Sequence, residues 1–231
     1  MNNSIWNPTY ECMPLAEQQQ LQGERLADCV RRIYGSVPFY TEKMAAIGLK
    51  PDDIKSLADL VKLPFTDKQD MRDQYPYGTF AVPMSDIIRI HASSGTTGKQ
   101  KVVGYTSKDI DVWSECCARS LRSAGLTKGD VLHIAYGYGL FTGGLGLHYG
   151  AERLGATVIP VSSGNTMRQI QILVDFQPTA IACTPSYALH LADALSTYGV
   201  TKDQLHLKYG IFGAEPWTLA MTEQIEEKLG L

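Results

Sequence analysis

Residues 91–101 read HASSGTTGKQK. Seven consecutive positions, Ser93, Ser94, Gly95, Thr96, Thr97, Gly98 and Lys99, supply two glycines, four hydroxyls and a lysine. Such residues do not fill a core. Gly95 and Gly98 permit positive φ, so consecutive N–H groups can point into one concavity. The hydroxyls add donors and Lys99 adds charge, a set that suits phosphate oxygens. A Walker loop needs G-x-x-x-x-G-K-[ST]. Ser93 stands where its first glycine belongs and Gln100 follows Lys99, so that chemistry is excluded. The bland alternative is a hairpin with a long tip; the density of hydroxyls favours phosphate binding over it.

A second constellation is IAYGYGLFTGGLGLHYG at 134–150. The dinucleotide fingerprint G-x-G-x-x-G starts at Gly137 and Gly139 but meets Thr142 at its third position, so a Rossmann cofactor is not supported. Tyr136 falls at the carboxyl end of an expected strand, where open parallel sheets bind ligands. Tyr136 and Phe141 are read as lining an aromatic pocket, with Gly143 and Gly144 leaving room for a flat group. Tyr138 and His148 are read as packing. Gly146 and Gly150, four apart, are expected to let a helix lie close on the sheet. The third piece is GIFGAEPW at 210–217, read as a strand end, a turn, and Glu215 and Pro216 opening a helix.

These pieces need elements to hold them. The first 86 residues read as helical, with a long helix from Leu15 to Tyr34 stopping at Gly35 and another from Thr41 to Ile47. Thr66 or Asp67 caps a short helix through Arg72. From residue 87 the pattern becomes strand and helix. IIRIHA (87–92) and KVVGYT (101–106) flank the glycine loop as a hairpin. A helix follows from Thr106 or Ser107 to Ala124, with Gly125 as its stop. DVLHIAY (130–136), ATVIPV (156–161), TAIAC (179–183) and LKYGIF (207–212) are each followed by a helical segment, the last from Thr218 to Leu229. The expected fold is α/β, a mostly parallel sheet flanked by helices (87–231) after a helical N-terminal region (1–86).

Composition closes off other classes. In 231 residues the hydrophobic share is 44%, the charged share 19% and the net charge −3, with no basic run. That argues for a packed protein and against nucleic-acid or membrane partners. No stretch approaches a membrane span, and the N-terminus lacks the pattern of a signal peptide, so a cytoplasmic protein is expected. The cysteines, at 12, 29, 116, 117 and 183, and the histidines, at 91, 133, 148, 190 and 206, show no metal-ligand spacing, and no metal ligands are assigned.

Five blocks carry a resemblance: LPFTDKQDMRDQYPYG (63–78), SSGTTGKQKVVGYT (93–106), YGYGLFTGGLGLHYGAERLGATVIP (136–160), ILVDFQPTAIACTPSY (172–187) and GAEPW (213–217). In this collinear order the chain resembles the phenylacetate–coenzyme A ligases of the adenylate-forming superfamily. The superfamily's phosphate loop commonly has proline where this chain has Gln100.

The resemblance implies two steps: attack of an arylacetate carboxylate on the α-phosphate of ATP, then displacement of AMP by the thiol of coenzyme A, with Mg²⁺ on the phosphates. It implies that Ser93 through Lys99 hold the phosphates. Gly213, Ala214, Glu215 and Pro216 would lie beside the adenine, and Tyr136, Phe141, Gly143 and Ala214 would line the acyl pocket. The family's magnesium-binding glutamate motif and its catalytic lysine are not among these 231 residues. The expectation is therefore an N-terminal portion of a ligase that binds its substrates without turning them over. Two alternatives stay open: an enzyme adenylating another aryl acid, and a non-catalytic nucleotide-binding or assembly module. The helices of 1–86 either pack internally or form a homodimer contact.

Overall fold

The computed structural model describes residues 4–95 and 98–231. They form two compact units, Asn7–Ile110, and Asp111–Leu231 with the segment ending at Trp6.

In the unit Asn7–Ile110, α1 (Pro8–Glu11) precedes the long α2 (Leu15–Ser36) and α3 (Pro38–Ala45). Helix α2 runs one residue past Gly35; the break comes at Val37, whose extended backbone precedes Pro38 at the first position of α3. That proline starts α3 three residues before the expected Thr41. Gly23, Ala27 and Val30 recur on one face of α2 and are buried, Val30 packing with Met44, Leu49 and Ile54. A Cβ on Gly23 would come within 3.0 Å of the Leu57 backbone nitrogen, so the chain crosses α2 at that glycine. Helix α4 (Lys68–Asp73) starts with a reciprocal cap: Asp67 accepts from the N–H groups of Gln69 and Asp70, and Asp70 accepts from that of Asp67. Strands β1 (Arg89–Ala92) and β2 (Val102–Tyr105) pair antiparallel, Ala92 opposite Val102, with the described residues 93–95 and 98–101 at the hairpin tip.

Helix α5 (Ser107–Ser123) leads into the other unit, with Gly125 at φ +106° after it. Then come β3 (Val131–Ile134), α6 (Gly143–Leu154), β4 (Thr157–Ile159), α7 (Thr166–Asp175), β5 (Ala180–Cys183), α8 (Pro185–Thr197), β6 (Tyr209–Phe212) and α9 (Leu219–Leu229). The four strands form a parallel sheet in the order β4-β3-β5-β6. Strand β5 is buried along its whole length, as a central parallel strand must be when helices cover both faces. Leu132, Ile134, Ala180 and Ala182 pack with α5 and α6, while Ala135, Ile181 and Cys183 pack with α7, α8 and α9.

Two expectations are corrected. Gly146 and Gly150 face α5, not the sheet: a Cβ on Gly146 would lie 2.6 Å from Trp113 Nε1, and one on Gly150 2.9 Å from the Cys117 carbonyl carbon. The close approach to the segment that follows β3 belongs to Gly144, 2.9 Å by the same measure from the Gly137 carbonyl oxygen. The last helix starts at Leu219, because the Thr218 hydroxyl accepts from Met221 N–H. Glu215 and Pro216 therefore belong to the preceding turn, where Ala214 sits at φ +70°.

Candidate functional site

The hairpin tip closes through backbone and hydroxyl together. Ser93 N–H donates to the Lys101 carbonyl at 3.0 Å, Lys101 N–H donates to Ser93 Oγ at 3.1 Å, and Gly98 N–H donates to the Gly95 carbonyl at 3.0 Å. Gly95 at φ +68° and Gly98 at φ +130° adopt conformations that glycine takes without strain. Ser94, Gly98 and Lys99 are exposed, and Ser93 and Gly95 are half-buried. Lys99 Nζ rests 5.6 Å from the centre of the Tyr75 ring. Thr96 and Thr97 lie outside the described residues. The described part is a short glycine turn with exposed donors and one cation at its end, a geometry open to an anion.

In the sheet unit, β3 leads through α6 to β4 on one side, while β5 leads through α8 to β6 on the other. The chain thus departs in opposite directions from two adjacent strands, which leaves a crevice beyond their carboxyl ends. A cavity of about 400 Å³ lies there, lined by Ala135, Tyr136 and Gly137 after β3, Ser163 after β4, and Thr184, Ser186, Tyr187 and His190 from the start of α8.

Tyr136 is half-buried, and burial pushes its hydroxyl up to about 12, helped by the nearby Cys183 and Glu215 and opposed by a hydrogen bond from Gly213 N–H. It is a neutral phenol at ordinary pH. Gly143 opens α6 beside it, its ideal Cβ 3.7 Å from the ring. Glu215 reaches the opposite edge of the cavity, where Oε1 accepts Ser186 N–H at 2.6 Å. The Ser186 hydroxyl and N–H hold this carboxyl below its usual range. The turn of Gly213, Ala214 and Glu215 is thus tethered to α8 through Glu215. Cys183, buried at the end of β5, is pushed up to about 12 by burial and then by Glu215, so it remains a thiol. The cavity has the chemistry of a binding site with an aromatic wall and a hydroxyl-bearing wall, and no activated nucleophile.

The residues singled out from sequence therefore separate. Of these, Tyr136 lines the cavity; Gly143 lies beside the Tyr136 ring without lining it, and Glu215 is joined to the rim through Ser186. Phe141, in the loop before α6, is 58% exposed and takes no part in the lining. Pro216 is exposed. Sequence reasoning missed Ser163, Thr184, Ser186, Tyr187 and His190. The available signal was their position just after the ends of β4 and β5, the same rule that singled out Tyr136.

The AMP-binding enzyme family model matches residues 19–231. The phenylacetate-coenzyme A ligase of Aromatoleum evansii is 57% identical over 215 residues, covering 93% of this chain and 49% of that protein. That of Escherichia coli (strain K12) is 55% identical over 222 residues, covering 96% and 51%. A crystal structure of 2-hydroxyisobutyryl-CoA ligase, in complex with 2-HIB-AMP and CoA in the thioesterification state, superposes with a TM-score of 0.92 at 32% identity, covering 98% of this chain and 50% of that one. The chain spans about half the length of the curated relatives it matches. Its parallel sheet, its switch-point cavity and a family match over nearly all its residues agree, and the chain belongs to the AMP-binding enzyme family.

Proposed function

We propose that the protein carrying this chain is an AMP-forming acid–thiol ligase whose acid is an aryl acid, phenylacetate first among them. A carboxylate oxygen of the acid attacks the α-phosphorus of ATP and pyrophosphate leaves. The thiol sulfur of coenzyme A then attacks the acyl carbon and AMP leaves. The observation that carries this reading is the cavity at the switch point, with Tyr136 on its wall and the Gly213–Glu215 turn tethered to its rim. Identities of 55–57% to two phenylacetate-coenzyme A ligases support it.

In this reading the aryl ring lies against Tyr136 and Gly143, with Phe141 closing over it, while Gly213 to Pro216 flank the adenine. Exposed donors at Ser94 and Lys99, with Thr96 and Thr97, take the phosphates. The acyl-adenylate must be shielded from water, which would otherwise hydrolyse it. Among the described residues no cluster of histidine, cysteine or acidic side chains converges to hold a metal. When bound, Mg²⁺ would sit on the nucleotide phosphates and offset their charge. No described helix is long and apolar enough to cross a membrane, and we place the enzyme in the cytoplasm with its substrates.

One observation favours a neighbouring reading. The 32%-identical structure is a ligase of a short hydroxy acid. The aromatic wall formed by Tyr136 and Tyr187 favours a flat ring instead. The test is acid-dependent AMP release by the full-length protein with ATP, Mg²⁺ and coenzyme A, comparing phenylacetate, benzoate and 2-hydroxyisobutyrate. Preference for phenylacetate supports the reading. Preference for the hydroxy acid overturns the aryl assignment, and no AMP release with any acid overturns the reaction.

A further inference from the structure

His133 and Gln169 are buried polar side chains, both 0% exposed, and neither lines the cavity. His133 lies on β3 two residues before Ala135; Gln169 lies in the first turns of α7. His133 Nε2 and Gln169 Oε1 are 2.5 Å apart. The amide nitrogen of Gln169 donates to the carbonyls of Ser162 at 2.7 Å and Gly164 at 3.1 Å. Those two carbonyls flank Ser163, a lining residue.

The wall they hold is not a relaxed loop. Ser162, Gly164 and Asn165 have φ of +70°, +87° and +48°, two of them without the freedom of glycine. Such backbone is strained and persists only where its surroundings enforce it. Other bonds assist: Ser162 N–H donates to the Ile134 carbonyl, Tyr138 N–H to Ser162 Oγ, and the Tyr187 hydroxyl to the Gly164 carbonyl. Gln169 alone reaches two carbonyls at once.

Its orientation is set from behind. Two carbonyls on one side require the NH₂ end of the amide, which turns Oε1 towards His133 and requires a proton on Nε2. Burial lowers the affinity of His133 for a second proton, although the bond to Gln169 opposes this. Nδ1 is then the bare nitrogen, and it has no partner among the described residues. The reversed amide would aim an oxygen at two carbonyl oxygens.

We propose that His133 and Gln169 are positioning residues which hold the Ser162–Gly164 wall of the cavity and so set the bulk of the acid it accepts. The selectivity half rests on the reading of the cavity as an acyl site; the pinning of the wall does not.

The test has two arms, each on the parent and on Gln169→Leu, His133→Leu and His133→Gln. The last variant keeps an N–H close to the place of Nε2. The first arm is backbone hydrogen exchange of segment 160–168. Faster exchange by about tenfold is expected in both leucine variants, with near-parental exchange in His133→Gln, as for loss of one or two buried hydrogen bonds. Parental exchange in a folded Gln169→Leu chain would overturn the pinning. The second arm is the ratio of kcat/KM for phenylacetate to that for a bulkier naphthylacetate, in the full-length protein. The leucine variants should lower that ratio about fivefold while the KM for ATP stays put. An unchanged ratio, or an equal rise in both KM values, would overturn the selectivity. If the parent activates no acid, the functional reading falls and takes the selectivity half with it, while the exchange arm still decides the pinning. Should His133→Leu fail to fold, Gln169→Leu against His133→Gln makes the same comparison.

Discussion

The carboxylate of Glu215 accepts the backbone N–H of Ser186 at 2.6 Å, so the turn after β6 is fastened to the first turn of α8 across the end of the sheet. An anion suits that place, since the opening N–H groups of a helix have no partner within it. Ala214, one residue earlier, has φ +70°. One carboxylate thus fixes where this turn meets α8.

Replacing it tests that junction. Glu215→Ala removes the tether, and should weaken acid or nucleotide binding by about tenfold, the equivalent of one charge-assisted hydrogen bond. Glu215→Gln keeps an acceptor for Ser186 and should lose only about threefold. Isothermal titration of both variants measures this. Equal and parental affinities would reduce the tether to a surface cap.

Lys99 has a competing partner in the free chain, the Tyr75 ring at 5.6 Å. An exposed cation–π contact contributes about 0.5–1 kcal/mol, whereas a charge-assisted bond to phosphate contributes about 1.5–3 kcal/mol. The phosphate wins. Lys99→Ala should therefore weaken ATP binding by about tenfold or more, and Tyr75→Ala should leave it unchanged or slightly tighter. Titration with ATP and Mg²⁺ at two salt concentrations checks the pair. If Lys99→Ala bound ATP as the parent does, the hairpin tip would not be the phosphate site.

The features legible from sequence were those that local chemistry decides. The short, mostly apolar segments at 131–134 and 180–183, each followed by a helical segment, announce parallel strands because both faces of such strands are buried. Gly125 and Thr218 mark helix ends by backbone freedom and by a hydroxyl. The glycine loop lies at a hairpin tip because short strands flank it. What stayed hidden depends on strand order. Ser163, Thr184, Ser186 and His190 read as ordinary loop and cap residues, and only the sequence β4-β3-β5-β6 brings them to one cavity. Gly146 and Gly150 announced a close approach but not its partner, α5. Pro216 looked like a helix start, yet the Thr218 hydroxyl, with a direct bond to Met221 N–H, sets the boundary.

Two glycines separate packing from propensity. A Cβ on Gly150 would overlap Cys117 on α5, backbone included, so the helices must move apart. Gly150→Ala should cost about 1–3 kcal/mol. Gly35, in the last turn of α2, has nothing within 4 Å of its ideal Cβ. Gly35→Ala should be neutral or stabilising by up to ~1 kcal/mol. Urea unfolding of the two variants gives both values. Similar midpoints would mean that α5 and α6 are not in tight contact.

Asp130 supplies the pH dependence. Its Oδ2 accepts the Thr127 N–H at 2.7 Å and the Thr127 hydroxyl at 2.9 Å, and its Oδ1 accepts the Thr179 hydroxyl at 2.8 Å. Burial alone would raise its pKa; the bonds from Thr179 and Thr127, with the charge of Lys208, overcome that and hold the carboxyl below its usual range. A carboxyl depressed in the folded state stabilises fully above its unfolded pKa of about 3.9. The contribution is lost as pH falls from there through the folded value. Asp130→Asn keeps one acceptor but removes the charge, and should flatten the acid limb of a plot of stability against pH from pH 6 to 3. At pH 7 the variant should lie about 1–3 kcal/mol below the parent, for the same pairing that stabilises the ion is then missing. Parallel acid limbs for parent and variant would show that Asp130 titrates alike folded and unfolded, and that the Thr127–Asp130–Thr179 bonds do not distinguish its charge.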